Sequence, residues 1–300
     1  MLARTQFTDE ADKRAYVQAC DADFEARLDA VVKEIIETPN LRYLTLSGPT
    51  CSGKTTAAKK LVSEFAERGK RVREISLDNF FRSRAELTAE AEREGRGLDF
   101  DSERALDLPL LQTFIDCIKA GKPAPIPHFD FTSGCVTSSE LFSNKDADIL
   151  IFEGIQAMYP VFTEMLKGLP FLSLIIHVAQ NLTVGENMLT PRTVRLLRRL
   201  VRDERFRGAS PEFTFRLWET VTENEDKNIL PFIGNADLQI DSVLGYEACM
   251  LKPYAVPLLS SLSPSSPYYE KAQMLLAIFE GVDTISESYI PAGGLYREFL

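Results

Sequence analysis

A glycine-rich loop between an apolar strand and a helix constrains this 300-residue chain more than any other feature. Residues 48–55 read GPTCSGKT, they follow the apolar segment LRYLTLS, and apolar residues recur at helical spacing from residue 54 onward. The glycines allow the backbone to curl so that several N–H groups point at an anion, and the helix N-terminus adds its positive dipole end. The pattern GxxxxGK(S/T) in this context predicts a site for the phosphates of a nucleotide.

We expect the phosphates of ATP to contact this phosphate loop (residues 48–55) and the first helical turn after it. Lys54 would place a positive charge beside the β- and γ-phosphates, and the Thr55 hydroxyl would reach Mg²⁺. Cys51 has a second interpretation, because a helix N-terminus can activate a thiol toward oxidation, although an ordinary loop residue is the simpler one. The predicted ATP contacts are Gly48, Pro49, Thr50, Cys51, Ser52, Gly53, Lys54, Thr55 and Thr56.

Two acidic residues follow predicted strands and would face one ligand crevice, because the carboxyl ends of parallel strands meet at the same edge of a sheet. Asp78 comes directly after VREISL, where it could accept a proton from an attacking hydroxyl, hold Mg²⁺ through water, or cap the next helix. Glu153 ends ILIFE, where an acid is either a Mg²⁺-associated group or an ordinary strand-end residue. A phosphate loop alone is equally compatible with a GTPase, a motor or a regulatory ATPase, so the choice depends on what else faces the γ-phosphate.

Residues 192–207 form an arginine-rich segment with seven arginines, no lysine and two acids, within a chain whose formal net charge is −10. Arginine suits planar, bidentate contact with phosphate oxygens, and a spacing of three or four residues places several guanidinium groups on one helix face. We therefore predict a helix that closes over ATP as a lid, at about residues 190–215. A solvated basic face and a site for RNA or acidic lipid are the competing interpretations.

Alternation of apolar strands and amphipathic helices predicts an α/β fold, with a mostly parallel sheet of about five strands between helices. Residues 82–98 are charged and contain glycine, which indicates a loop or an exposed excursion. The chain divides into an N-terminal helical extension (1–40), a main domain (41–262) and a C-terminal helical tail packed on it (263–300). The predicted strands are 41–47, 72–77, 146–154, 171–179 and 237–242, and the predicted helices are 9–37, 54–68, 103–120 and 192–207.

Composition and charge exclude several classes of protein. An acidic balance argues against binding nucleic acid through a basic surface, and no apolar run approaches the ~20 residues of a membrane span. Five scattered cysteines without a CxxC pair, and two histidines, indicate neither a disulfide framework nor a zinc site. The first residues, MLARTQFTDEADKR, lack the apolar stretch of a secretory signal. We expect a cytoplasmic protein that acts on a small molecule and binds neither nucleic acid nor membrane.

Six segments in chain order resemble the phosphoribulokinase/uridine kinase family: GPTCSGKTT, SLDNFF, LDFDSERALD, PIPHFDF, ILIFEGI and RLLRRLVRDERFRG. The resemblance extends over residues 41–262. The segments KNILPF, YEACMLKPYAVPLL and YIPAGGLYREFL resemble, more narrowly, the bacterial uridine/nucleoside kinases that usually carry an N-terminal TGS region, whereas the first forty residues here provide one predicted helix. The resemblance implies a P-loop NTPase fold, ATP as the phosphoryl donor, Mg²⁺, a small-molecule acceptor and a homo-oligomer.

The resemblance also implies roles for single residues in phosphoryl transfer. Asp78 matches the catalytic base, and Lys54 and Arg199 match catalytic residues beside it. Metal contacts are implied for Thr55, Asp78 and Glu153. The lid arginines implied to hold phosphate are Arg202 and Arg207.

On the acceptor side, the resemblance pairs Asp101 with the ribose hydroxyls and packs Phe129 and Phe131 against the base. Judged from the residues alone, both phenylalanines could equally be core residues, and Asp101 could be an acid at the start of a helix. The implied acceptor contacts are Asp78, Phe100, Asp101, Phe129, Phe131 and Arg199.

Three positions depart from the uridine kinase pattern. Gly134 and Val136 stand where that pattern has a His and an Arg, and Ala209 stands where it has a second substrate arginine. The phosphoryl-transfer half of the site is therefore matched and base recognition is altered, unless Gln156 supplies contacts from another direction. The resemblance implies transfer to the 5′-hydroxyl of a ribonucleoside. A kinase of another sugar or polyol, and a regulatory ATP-binding protein with a degraded acceptor site, are the alternatives.

Overall fold

The computed structural model describes residues 1–95, 97 and 99–300. Its α-helices are α1 Glu10–Glu37, α2 Lys54–Glu67, α3 Arg84–Glu94, α4 Leu108–Lys119, α5 Pro160–Met165, α6 Pro191–Arg207, α7 Pro211–Asn228, α8 Glu247–Ser260 and α9 Tyr269–Ala277. Its strands are β1 Tyr43–Ser47, β2 Val72–Ser76, β3 Ala124–Asp130, β4 Cys135–Phe142, β5 Ile149–Glu153, β6 Phe171–His177, β7 Leu182–Val184, β8 Asn187–Leu189 and β9 Leu238–Asp241.

A five-stranded parallel sheet in the order β2-β5-β1-β6-β9 forms the centre of the fold and confirms the predicted α/β architecture. Every residue of β1 is buried, and so are four of the five residues of β5, as expected for a sheet that helices cover on both faces. Strands β5 and β2 lie on one side of β1, and β6 and β9 lie on the other. The strand order therefore reverses beside β1, and ligands of open α/β sheets bind at such a point.

Two antiparallel hairpins, β3–β4 and β7–β8, are separate from this sheet. The backbone N–H of Phe129 in β3 donates to Oδ1 of Asn79, 3.2 Å away, in the turn that follows β2. This contact brings the β3–β4 hairpin, with its predicted acceptor residues, to the carboxyl edge of the parallel sheet.

Helix α1 and the C-terminal tail share one hydrophobic core with the sheet. Phe24 and Leu28 of α1, and Tyr296 and Phe299 near the C-terminus, are buried in the same cluster as Leu44 of β1. The division of the chain into an extension, a main domain and a tail stays a prediction, since one core joins the three parts.

The prediction of a loop over residues 82–98 is wrong for most of that segment, because Arg84–Glu94 form α3. Ser83 and Glu86 form a capping box at its start, and its buried residues are Leu87 and Ala91. So narrow an apolar face among charged residues gives little periodicity to detect. Residues 96 and 98, which the prediction included, lie outside the described residues.

The helix predicted over residues 103–120 begins later, at Leu108. The Asp107 side chain caps it by accepting a hydrogen bond from the N–H of Leu110 at 3.0 Å, and a short 3-10 turn, Glu103–Ala105, precedes it. Strands β4, β7 and β8 and helix α7 were not predicted. None of the described helices is long and apolar enough to cross a membrane.

Candidate active site

The phosphate loop joins β1 to α2 through a backbone that only particular residues tolerate. A Cβ atom on Gly48 would overlap the carbonyl oxygen of Ile176, so this position must be glycine. Gly53 has φ of +95°, and Cys51 lies in the left-handed region at φ +57°, which is uncommon for a residue with a side chain. Lys54 Nζ donates to the carbonyl oxygen of Gly48 at 2.8 Å. The result is a tight loop with the lysine folded back over it.

Two arginines of α6 hold the phosphate loop from outside. Arg195 Nη1 donates to the carbonyl oxygen of Thr50 at 3.2 Å, and Arg198 Nη1 donates to that of Cys51 at 3.1 Å. Inside the loop, the Ser52 hydroxyl is buried without a hydrogen-bond partner among the described residues. The arginines bind carbonyl groups of the loop and none of its N–H groups, although the Ser52 N–H donates to the carbonyl oxygen of Pro49 at 3.2 Å. This arrangement fits the predicted binding of ATP phosphates.

The same two arginines show that α6 is not a solvated basic face. Arg195 Nη2 donates to Oε2 of Glu225 at 2.7 Å, and Arg198 Nε donates to Oε2 of Glu247 at 2.9 Å. All four side chains are buried. Two of the seven arginines therefore support the fold, and the lid interpretation depends on Arg199, Arg202 and Arg207.

These three lid arginines converge on Asp203, a buried acid that the sequence analysis did not select. Arg199 Nε donates to Oδ2 of Asp203 at 3.0 Å, and Nη groups of Arg202 and Arg207 donate to Oδ1 at 3.4 and 3.1 Å. Arg202 Nε is buried and has no hydrogen-bond partner within the part of the chain that is described. One carboxylate thus gathers three guanidinium groups, and a phosphate that binds them would compete with it. The spacing of four residues on either side of Asp203 is the signal that could have indicated it.

Asp78 and Glu153 lie at the carboxyl ends of β2 and β5, which are neighbouring strands. Burial, together with the charge of Glu153, raises the pKa of Asp78 to about 6, and the charge of Lys54 opposes that rise. Burial also raises the pKa of Glu153, again opposed by Lys54. Ser83 rather than Asp78 caps the next helix, α3, which removes the interpretation of Asp78 as a helix cap. The two carboxylates are therefore held near Lys54 in a place where their negative charge is costly.

The residues expected to hold Mg²⁺ fit that ion by their chemistry. Thr55, Asp78 and Glu153 offer hard oxygen ligands, which Mg²⁺ prefers, and a dication would relieve the repulsion between the two acids. Over the described residues, no group of three or more His, Cys, Asp and Glu side chains is gathered as a metal site. Such an ion would therefore bind through one or two carboxylates together with phosphate oxygens.

The phenylalanines expected to contact the acceptor form one cluster. The ring centroid of Phe81 lies 5.7 Å from that of Phe129 and 6.0 Å from that of Phe100, and Phe129 lies 5.3 Å from Phe131. Phe129 is buried, whereas Phe131 is 58% exposed, so Phe131 offers the ring surface that a ligand can reach. Phe81, which the sequence analysis did not assign, lies at the centre of the cluster.

Asp101 lies within electrostatic reach of the phosphate-side residues. Burial raises the pKa of Asp101, and the positive charges of Arg199 and Lys54 oppose that rise. The hydroxyl of Tyr159 donates to the carbonyl oxygen of Asp101 at 2.7 Å, and Gln156 Nε2 donates to the preceding carbonyl at 3.0 Å. These two bonds fix the turn that carries Asp101, and Tyr159 is a contributor that sequence reasoning missed.

Arg84 fills the space beside Gly134, one of the three positions that depart from the uridine kinase pattern. A Cβ on Gly134, which has φ of +71°, would lie 2.7 Å from the Cβ of Arg84. The Arg84 guanidinium donates to the carbonyl oxygen of Phe131. A histidine at position 134 would therefore collide with Arg84, and Arg84 is the polar group next to the exposed ring. Arg84 and Gly134 are fifty residues apart in sequence, so inspection of the sequence does not reveal that they are neighbours.

The sequence model of the phosphoribulokinase / uridine kinase family matches residues 44–247, roughly two thirds of the chain. The chain belongs to the phosphoribulokinase/uridine kinase family. Uridine-cytidine kinase B of Dictyostelium discoideum is 28% identical over 242 residues, which cover 80% of this chain and 90% of that protein. The uridine kinase of Deinococcus deserti is 26% identical over 167 residues, 56% of this chain and 70% of that protein. The solved structure of a possible uridine kinase from Bacillus stearothermophilus is 18% identical, with a TM-score of 0.49 over 73% of this chain and 100% of that one.

The structure brings some of the predicted site residues together and leaves others apart. The charges of Lys54, Asp78, Asp101 and Glu153 influence one another, so these groups share one space. Arg207 is mostly exposed and turns toward Asp203 rather than toward the phosphate loop. Thr50, Cys51 and Ser52, predicted to contact ATP, are part of the phosphate loop. Cys51 is buried, so an oxidant would reach its thiol only after the loop opens.

Proposed function

We propose that this protein transfers the γ-phosphoryl group of ATP to the 5′-hydroxyl of a ribonucleoside. The observation that carries the proposal is Asp78, a carboxylate with a pKa of about 6 at a strand end that faces Lys54 and the phosphate loop. A base tuned toward neutral pH serves proton removal from a hydroxyl, and a protein that only binds ATP does not need one. The relatives described as uridine kinases support the nucleoside as acceptor.

In the proposed reaction, Asp78 accepts the proton of the acceptor hydroxyl while that oxygen bonds to the γ-phosphorus. The bond from this phosphorus to the bridging oxygen breaks, and ADP is the leaving group. Lys54, Arg199 and Arg202 stabilise the charge that is spread over the phosphoryl oxygens. When bound, Mg²⁺ would supply further charge neutralisation at the phosphates, next to Thr55. Alignment of the two substrates contributes much of the rate, because little covalent chemistry falls to the protein.

The lid in this proposal works through the second half of α6. Arg195 and Arg198 tie the first half to the phosphate loop through buried contacts, so that half stays in place. Arg199, Arg202 and Arg207 each form an ion pair with Asp203, so a phosphate that binds these side chains would compete with that acid. Closure would then require side-chain movement more than rotation of a whole helix.

Acceptor specificity in this proposal comes from the ribose more than from the base. Asp101, fixed by Tyr159, would accept hydrogen bonds from the 2′- and 3′-hydroxyls, and removing a hydroxyl would leave the carboxylate unpaired. The base would pack against Phe131, a contact that any base can make. Gly134 and Val136 provide no polar side chain to read the base edge, so we expect a broad range of bases.

The test is product formation with ATP, Mg²⁺ and a panel of uridine, cytidine, adenosine, inosine and 2′-deoxyuridine, followed by mass spectrometry of the products. We expect nucleoside monophosphates, kcat/KM for 2′-deoxyuridine lower by about 10²-fold or more than for uridine, and smaller differences among the bases. Asp101→Asn should remove the discrimination against 2′-deoxyuridine, with Asp116→Asn, which changes an exposed acid on α4, as the matched control.

Two results would contradict the proposal. ATP binding without phosphorylation of any nucleoside or polyol would identify a regulatory protein, and phosphorylation of sugars or polyols alone would identify a kinase of another acceptor. A preference for uridine above ~10³-fold over every purine nucleoside would leave the activity standing and refute the broad base range.

A further inference from the structure

The C-terminal residues 294–300 return to the phosphate loop and pack against it. Leu295, Tyr296 and Phe299 are completely buried. A Cβ on Gly53 would overlap Leu295, and the Phe299 ring centroid lies 4.9 Å from Cζ of Arg198, which binds the loop. The end of the chain is therefore part of the wall around the loop.

Within this segment, Glu298 makes two hydrogen bonds to the start of α2. Its Oε2 accepts from the backbone N–H of Thr56 at 3.2 Å and from the Thr56 hydroxyl at 3.1 Å. The N–H groups in the first turn of a helix have no partner within the helix, and in a phosphate loop the backbone N–H groups at this place cradle the α- and β-phosphates. Glu298 thus occupies a donor that the sequence analysis assigned to ATP.

The negative charge of Glu298 also acts on other residues of the site. Burial raises the pKa of Glu153, Lys54 opposes that rise, and the charge of Glu298 adds to it. The charge of Glu298 also acts on Arg202. The hydrogen bonds to Thr56 place this carboxylate at the N-terminus of α2, where a phosphate group would also bind.

We propose that Glu298 is a built-in competitor of nucleotide: its carboxylate and an α-phosphate exclude each other from the N–H of Thr56, so nucleotide binding displaces Glu298. This inference rests on the proposed binding of ATP. Two negative groups cannot share one N–H donor, and their repulsion within a partly buried site adds to the exclusion. Nucleotide can use the N–H of Thr56 only in the molecules in which Glu298 has left it. The apparent affinity is therefore the intrinsic affinity multiplied by the fraction of such molecules.

The competition is specific to ligands that carry a phosphate. Adenosine presents no anion to Thr56, whether it binds in the place of nucleotide or at the proposed acceptor site, so its affinity should not depend on Glu298. ADP has the α-phosphate and undergoes no turnover without an acceptor, which makes ADP and adenosine a matched pair of probes. Hydrogen bonds to charged groups are strong enough that removing one competing bond changes affinity by about tenfold or more.

The experiment is calorimetric titration of ADP and of adenosine into the unsubstituted protein and into Glu298→Ala. We expect Glu298→Ala to bind ADP at least about fivefold more tightly than the unsubstituted protein, with adenosine affinity unchanged within twofold. Glu280→Ala, which removes an exposed acid of the same C-terminal region, should change neither affinity. Glu298→Gln keeps the shape of the side chain without its charge, and it replaces Glu298→Ala if that variant does not fold.

Three results would overturn the inference. ADP affinity that is unchanged or weaker in a folded Glu298 variant, while the unsubstituted protein binds ADP, would make Glu298 a simple cap of α2. Absence of ADP binding from every variant would overturn the competition together with the proposed function. Equal tightening of ADP and adenosine would show that the segment closes the site sterically and that its charge is not the cause.

Discussion

At the scale of single residues, Asp78 links the pH dependence of the reaction to the stability of the fold. Its pKa of about 6 arises from burial and from the charge of Glu153, and only the protonated form avoids both costs. The proposed base must be deprotonated to accept a proton. The same group should therefore limit the rate in acid and destabilise the folded protein near neutral pH.

The rate should fall as Asp78 becomes protonated. We expect kcat/KM to be flat above pH 7 and to drop about tenfold per pH unit below a midpoint near pH 6. Initial rates in buffers from pH 5 to 8, at fixed ionic strength, measure this midpoint. A midpoint at pH 4.5 or lower would show that Asp78 is an ordinary exposed carboxyl in solution.

Asp78→Asn should lower the rate but raise the stability of the folded protein. The folded protein holds the Asp78 proton more tightly than the unfolded chain does, since the pKa is raised above its usual 3.8, so the residue costs stability as pH rises through about 6. We expect Asp78→Asn to raise Tm by about 2 °C or more at pH 8, with the difference vanishing toward pH 4. Turnover should fall about 10²–10⁴-fold. A lower Tm at pH 8 would refute the cost assigned to the charge.

At the scale of elements, helix α6 combines a structural half and a proposed catalytic half. Arg198 is buried with Glu247, so Arg198→Ala leaves a buried carboxylate unpaired and should lower the free energy of unfolding by roughly 3–5 kcal/mol. Arg207 is largely exposed, and Arg207→Ala should change the free energy of unfolding by less than about 1 kcal/mol. Urea denaturation of both variants measures the contrast, and equal effects would contradict the division of the helix.

Within the proposed catalytic half of α6, Arg199 should act on the acceptor and Arg202 on ATP. Arg199 is the lid residue whose charge acts on Asp101, so Arg199→Ala should mainly raise the KM of the acceptor. Arg202 lies near Cys51 and Glu298, so Arg202→Ala should lower kcat or weaken ATP binding. Steady-state kinetics with each substrate varied separate the two effects. Indistinguishable kinetic changes in the two variants would refute this assignment.

The elements that the sequence predicted well are those with a strong local signal. The phosphate loop was evident because the turn, the lysine and the helix start are contiguous, and the strands before Gly48 and Gly154, YLTLS and ILIFE, are mostly apolar. Arg84, Asp203 and Glu298 were not predicted as site residues. Arg84 and Glu298 act on partners 50 and 242 residues away in sequence, and Asp203 is one acid among many on a charged helix.

At the scale of the whole molecule, one core contains residues of helix α1 and of the C-terminal segment, and that segment reaches the site. Helix α1 packs in the same cluster as β1, and residues 294–300 line the phosphate loop. This closure explains how a segment distant in sequence can affect nucleotide affinity. It also means that removing residues 294–300 would take the buried rings of Tyr296 and Phe299 out of the core, uncover the Tyr246 ring that Tyr296 contacts, and destabilise the fold.

The most direct test of the central claim follows the phosphoryl group itself. ATP labelled at the γ-phosphorus is incubated with Mg²⁺, uridine and the protein, and the labelled product is located by phosphorus NMR and mass spectrometry. Our account predicts label on the 5′-oxygen of uridine, formed with ADP in equal amount, no such product with Lys54→Ala, and a rate at least about 10²-fold lower with Asp78→Asn. Release of labelled inorganic phosphate without a phosphorylated nucleoside, or product formation that persists in Asp78→Asn at more than about a third of the rate, would contradict it.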